Sequence, residues 1–196
     1  KNIYLNKAKS SPGVLGVFDY SDLIKDDIGC FTTKFNFTRP DGRHMFVPQF
    51  GLLAQDTVKY VGDPIIVVIA KTKNQADDAS EIIEIEYDEL PAVTDAKLAV
   101  NRNTPYVWEE VKDNIAFQVT KGDKPLTDST FDSAGHITRL ELCISRVTAN
   151  TIEPRNAIGE YQKQTKSFLL KTGTQTPHRL RGILATDILK VAKETV

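Results

Sequence analysis

Thr174-Gln175-Thr176 stands where a strand should end and a helix begin. Such a corner presents free backbone N–H groups and the positive end of a helix dipole. Anions and polarised oxygens bind at such places. Gln175 adds an amide donor, and His178, Arg179 and Arg181 add positive charge in the first turns. One reading is a ligand-facing corner for an oxyanion or phosphate. The other is that Thr176 caps the helix and the cations are solvated, and on spacing alone this second reading is the simpler. Glu153-Pro154-Arg155 between two strands could act on a substrate, but a rigid proline between opposite charges reads better as a structural ion pair or backbone clamp. Gly62-Asp63-Pro64 is a turn and no phosphate loop. Glu84, Glu86, Asp88 and Glu89 read as a solvated strand face, because alternation already explains them. No nucleophile, base and acid stand at a recognisable spacing, so no catalytic residue is assigned.

Cys30 and Cys143 are the only cysteines and form no CxxC pair. Each reads as a small buried hydrophobe in a reduced, intracellular protein. His44, His136 and His178 sit at no metal-ligand spacing, so no protein-ligated metal is expected. With 25 Lys and Arg against 26 Asp and Glu, the net charge of −1 argues against a nucleic-acid binder. The longest apolar run, Ile65 to Ala70, is far too short for a membrane span. At 196 residues the chain could bury a core without metals or disulfides.

The elements that must position these residues follow from pattern. Val14, Leu15, Val17 and Phe18 form a short strand after Ser11-Pro12-Gly13. Residues 25–50, with scattered phenylalanines and the turn Arg39-Pro40-Asp41-Gly42, form a long loop. Ile65 to Ala70 reads as a strand covered on both faces, Asn74 as the cap of a helix with Asp77 and Asp78 in its first turn, and Ile85 and Tyr87 as a half-exposed strand, together a βαβ unit. Residues 91–114 connect two modules. Ile115, Phe117 and Val119 alternate, and Phe131 and Ala134 line a short helix. Strands are expected over Ile137 to Val147, Ile158 to Tyr161 and Phe168 to Thr172, the last two joined by a polar turn. Pro177 opens an amphipathic helix through Leu180, Ile183, Leu184, Ile188, Val191 and Ala192. Lys190 to Val196 lie in an unfinished helical pattern, Lys1 is not an initiator, and no secretory leader is visible. Both ends therefore read as cuts.

Taken in order, the motifs resemble a family. Ile3-x-Leu5-x-Lys7-Ala8-x-x-x-Pro12-Gly13-Val14 is similar to the early part of the molybdopterin-binding large subunit of the molybdenum hydroxylases, which include xanthine dehydrogenase, aldehyde oxidase and carbon-monoxide dehydrogenase. The match continues through Leu53-Ala54-x-Asp56-x-Val58-x-Tyr60-Val61-Gly62-Asp63-Pro64, and from Ala76-x-x-Ala79 to Glu86-Tyr87-Asp88-Glu89-Leu90-Pro91-Ala92-Val93. It resumes at Gly122-Asp123, Glu153-Pro154-Arg155 and Thr174-Gln175-x-Pro177-His178. Each motif alone is weak, and the ordered series is what carries the resemblance. Thr151-Ile152 before Glu153 departs from a pair common in relatives.

The resemblance implies an α+β chain: an α/β hammerhead domain over 1–95 lacking its first strands, a connecting segment over 96–114, and over 115–196 the opening strands and helix of the first molybdopterin-binding domain. It implies that Gln175 lies beside the molybdenum cofactor and hydrogen-bonds an oxygen ligand of the metal. The implied reaction is oxidation of an aldehyde, an electron-poor heteroaromatic carbon or carbon monoxide with oxygen from water, the cofactor carrying the hard chemistry. Electrons would pass to 2Fe–2S clusters and flavin (FAD) on partner subunits or domains. The family's glycine-rich loop and catalytic glutamate are not found before Val196, so the chain by itself is expected to bind no cofactor and to be inactive. A cytoplasmic location is expected. The alternative is a non-catalytic scaffold or subunit-interaction module.

Overall fold

The computed structural model describes residues 2–145, 147–148 and 150–196. The elements are β1 (Asn2–Tyr4), α1 (Asn6–Lys9), β2 (Val14–Phe18), α2 (Tyr20–Lys25), β3 (Val67–Ala70), α3 (Lys73–Glu81), β4 (Glu84–Glu86), α4 (Ala96–Ala99), α5 (Lys124–Ser133), β5 (Ala157–Gln162), β6 (Ser167–Thr172) and α6 (Pro177–Ile183). A π turn, Leu184–Ile188, continues α6, and a 3₁₀ turn covers Lys193–Thr195.

The first half is built on two antiparallel ladders. β2 pairs with β3, with a register shift between Val14 and Gly16, and β1 pairs with β4. One face of the β2–β3 ladder carries the core: Ala8 of α1, Val17 and Ala79 of α3 are buried, with Leu5, Val14, Ile66, Val68 and Ile83 packed around them. The small alanines let two helices lie close on a two-stranded ribbon. The acidic strand β4 is anchored from β1 and α1. Asn2 Nδ2 and Tyr4 OH donate to Glu86 at 2.7 and 3.0 Å, and Lys7 Nζ donates to Glu84 at 2.8 Å. The Asn2 amide, followed by the Tyr4 hydroxyl, holds the Glu86 carboxyl below its ordinary value. The strand face expected to be merely solvated is thus partly bonded.

Several expectations are corrected. The stretch 65–88 is not a βαβ unit: β3 and β4 lie in different ladders, each antiparallel to an earlier strand. β3 is covered on one face only: among the described residues Val67 and Ile69 on the other face remain 43% and 47% exposed. Thr72, not Asn74, caps α3 by accepting from the Gln75 N–H at 3.3 Å, which moves Asp77 and Asp78 out of the first turn. Residues 115–119 form no strand. They lie against the long loop instead, with the Phe46 N–H donating to the Ala116 carbonyl at 2.8 Å and the Phe37 and Phe117 rings 5.8 Å apart. The short helix around Phe131 is α5, capped by Asp123 accepting from the Leu126 N–H. The strand expected over Ile137 to Val147 is absent among the described residues, and Arg146 lies outside them. A strand needs a partner, and none lies beside it: Leu140, Leu142 and Ile144 are 78%, 74% and 91% exposed. The cysteines are free, Cys143 exposed and Cys30 half-buried, so neither is the buried hydrophobe expected. The final helix stops at Ile188, where Lys190 takes a left-handed φ of 52° and ends it without Gly, Asn or Pro. The tail is therefore no unfinished helix.

The β5–β6 hairpin, its turn at 163–166 and the helix opening at Pro177 are as expected. No helix among the described residues is long and apolar enough to cross a membrane. The folded chain leaves 16332 Å² accessible. A self-contained monomer of 21.9 kDa leaves about 9300 Å².

Candidate functional site

β6 runs in register against β5, from Ser167 opposite Gln162 to Thr172 opposite Ala157, and leads directly into the corner. Tyr161 and Phe168 pack across the hairpin with ring centroids 4.8 Å apart and planes tilted by 42°, and the Thr172 hydroxyl donates to the Asn156 carbonyl at 2.8 Å, which pins the last residue of β6. The chain then breaks from the sheet. The Thr176 N–H donates to Thr174 Oγ1 at 3.3 Å, and Leu180 N–H donates to the Thr176 carbonyl to close the first helical turn. Pro177 needs no N–H partner at this position and presets φ for the helix.

Two of the details argued from sequence change. Thr176 does not cap the helix with its side chain. Arg181 is turned away from the corner, its Nε donating to the Lys193 carbonyl at 3.0 Å. His178 and Arg179 are exposed in the first turn. Gln175 itself is exposed, and its carboxamide has no partner among the described residues. The corner therefore holds one free amide side chain and uncapped backbone N–H groups, a set of donors suited to an oxygen-bearing group. Among the described residues no group of three or more His, Cys, Asp or Glu is placed to hold a metal ion. Glu153 and Arg155 are both exposed and form no ion pair among the described residues, so the clamp expected there is absent.

The charge cluster that sequence reasoning missed lies elsewhere. Arg39 is only 7% exposed, and its guanidinium meets Asp113 at 2.6 and 3.3 Å and the Ile115 carbonyl at 2.9 Å. Arg43 reaches the same carboxylate at 2.7 Å and also binds Asp41. The Arg39 contact, assisted by Arg43 and the Ile115 N–H, holds the Asp113 carboxyl well below the usual carboxylate range against the opposing effect of desolvation. The Arg39-Pro40-Asp41-Gly42 turn was legible. Its partner more than seventy residues on was not.

Comparison with known proteins agrees with the motif order. The family described as aldehyde oxidase and xanthine dehydrogenase, a/b hammerhead domain, matches residues 1–91, and the molybdopterin cofactor-binding domain family matches residues 107–196. The chain is 28% identical to the nicotine 6-hydroxylase large subunit of Paenarthrobacter nicotinovorans, over 91% of this chain and 21% of that protein. It is 26% identical to the carbon monoxide dehydrogenase large chain of Afipia carboxidovorans, over 94% of this chain and 23% of that one. Among solved structures, quinoline 2-oxidoreductase from Pseudomonas putida 86 superposes with a TM-score of 0.85 and 24% identity, over 99% of this chain and 24% of that one. The chain thus spans under a quarter of the length of these relatives. Two domain matches in family order cover nearly all of its residues, and the fold agrees: the chain belongs to the aldehyde oxidase and xanthine dehydrogenase family, with that family's hammerhead domain followed by the start of its molybdopterin cofactor-binding domain.

Proposed function

We propose that this chain is part of the large subunit of a molybdenum hydroxylase that oxidises an aldehyde, a heteroaromatic carbon or carbon monoxide with oxygen taken from water. The observation that carries the reading is the free, exposed Gln175 carboxamide at the corner between β6 and α6, inside the part of the chain that matches a molybdopterin cofactor-binding domain. In this reading the hammerhead domain runs to about residue 95, residues 96–114 connect, and the cofactor-binding domain opens at 115. When bound, the cofactor supplies the two-electron redox chemistry and the site of oxygen transfer. The donor set fits it: Gln175 would hold an oxygen of the cofactor through its amide N–H, and the uncapped backbone N–H groups that follow Pro177 in the first helical turn would add donors. Preorganised donors of this kind cost no rearrangement during reaction. In this reading the general base comes from the remainder of the large subunit. Partners carrying 2Fe–2S clusters and FAD would take the electrons, and the unpaired cysteines suit a cytoplasmic location.

The accessible surface of 16332 Å² also favours a second reading, in which the chain is a non-catalytic scaffold that docks other subunits. Substitution of Gln175 in the cofactor-loaded subunit separates the two. Gln175→Ala is expected to lower kcat for aldehyde, N-heteroaromatic or carbon monoxide oxidation about a hundredfold, the scale of losing one preorganised donor, with cofactor content measured alongside. An unchanged kcat at full cofactor content would refute the assignment of Gln175.

A further inference from the structure

The irregular stretch from 27 to 50 touches the second half of the chain at two places. The first is the Arg39–Asp113 contact with its neighbours Phe46 and Phe117. The second lies at the far end of the helix that begins at the corner. There the chain widens into the π turn, with the Leu189 N–H reaching back to the Leu184 carbonyl at 2.8 Å and the Val191 N–H to the Ala185 carbonyl at 2.8 Å. Such turns are rare and persist where their surroundings over-determine them. The surroundings here come from the hammerhead domain. The Gly29 N–H donates to the Ile188 carbonyl at 2.8 Å, the Thr32 hydroxyl donates to Asp187 Oδ2 at 2.9 Å, and Lys190 pairs with Asp27. Only glycine allows the approach at position 29, since a Cβ there would lie 1.8 Å from the Asp187 carbonyl oxygen. The other oxygen of Asp187 accepts from the Thr186 hydroxyl at 2.7 Å, so the carboxylate is held from both domains. Ala185 and Ile188 are buried at this contact.

We propose that residues 27–32 form a latch that positions the Thr174–Thr176 corner, with Thr32 and Gly29 as its positioning residues. Pro177 to Ile188 is a continuous helical rod of about 18 Å. The corner is at one end and the latch at the other. The β5–β6 hairpin gives the weaker constraint, because every residue of β5 is exposed and β6 is only half-buried at Ser167, Phe168, Leu170 and Thr172. The direction in which Gln175 points relative to the hammerhead domain is therefore set through the rod. What the corner holds rests on the reading of Gln175 given above; the latch itself does not.

The test uses the assembled, cofactor-loaded subunit with Thr32→Val, which removes the hydroxyl at nearly constant shape, Thr32→Ser, which restores it, and Gly29→Ala. Spin labels at Leu15 in β2 and at His178 report the distance between the hammerhead domain and the corner. Thr32→Val is expected to broaden that distance distribution at least twofold and to lower kcat at least tenfold while KM changes less than twofold; Thr32→Ser is expected to match the parent. Should Gly29→Ala fail to fold, the Thr32 pair carries the test. An unbroadened distribution in Thr32→Val overturns the latch, whether or not Gln175→Ala lowers turnover. A broadened distribution with unchanged kcat upholds the latch and refutes the Gln175 reading.

Discussion

Asp113→Ala is expected to destabilise the chain by about 3 kcal/mol, the lower end of what breaking a buried ion pair costs. The Arg39 side chain is almost wholly enclosed, and removal of the carboxylate leaves its guanidinium with the Ile115 carbonyl at 2.9 Å and only the more distant, half-exposed Asp41 carboxylate at 3.6 Å. Arg39 Nε already lacks a hydrogen-bond partner among the described residues, and Asp41 is held by Arg43, so neither compensates fully for the lost carboxylate. Asp113 is itself partly solvated, its side chain 28% exposed, which is why the lower end applies. The paired replacement Arg39→Met with Asp113→Leu removes both charges and fills similar volume. It is expected to recover most of the loss, because no lone charge is left enclosed. Urea midpoints of Asp113→Ala and of the double variant measure this, and a double variant no better than Asp113→Ala would show that the contact is not the cause. The pH dependence has a definite sign. The folded-state pKa of Asp113 is depressed, so its contribution is complete above the ordinary carboxylate value near 4 and is lost as the pH falls below that value toward the depressed one. Asp113→Ala should therefore flatten the acid limb of the stability profile.

The sequence revealed most where structure is local. β2, the β5–β6 hairpin, the polar turn at 163–166 and the helix opening at Pro177 depend on alternation and on proline chemistry within a few residues. The motif order added the family, which no single spacing could have shown. What stayed hidden is non-local. The apolar run ending at Ala70 looks the same whether its partner is a later parallel strand or, as here, the earlier β2. The run from Ile137 has the alternation of a strand but nothing beside it to bond with, so pattern alone misleads. The last helix ends where Gly29 and Asp27 meet it, contacts more than 150 residues away in the chain. Gln175 was legible as a residue type at a corner, whereas the contacts that aim the corner were not: Thr32 and Gly29 sit in a loop whose sequence advertises only irregularity.

Thermal unfolding of the isolated 196-residue chain is expected to show a heat-capacity change of about 1.8 kcal/mol/K, against about 2.6 for an ordinary domain of this length. The unfolded chain would expose about 32000 Å², so a folded surface of 16332 Å² means that folding hides only about half of it. A domain of this size ordinarily hides about 70%. Heat-capacity change and urea m-value both scale with the area exposed on unfolding, so both should fall to roughly two thirds of the usual figure. The deficit is concentrated where the cofactor-binding domain begins: every residue of β5 is exposed, and the run from Ile137 to Ile144 has no ladder to join. In the hammerhead half, by contrast, Ala8, Val17 and Ala79 close a small core of their own. The transition should accordingly be shallow, with the β2–β3 ladder and α3 protected from hydrogen exchange longer than β5 and β6. A full heat-capacity change with uniform protection would mean that the second half covers itself in solution. In that case the chain would be a self-sufficient domain rather than one whose surface other polypeptide must complete.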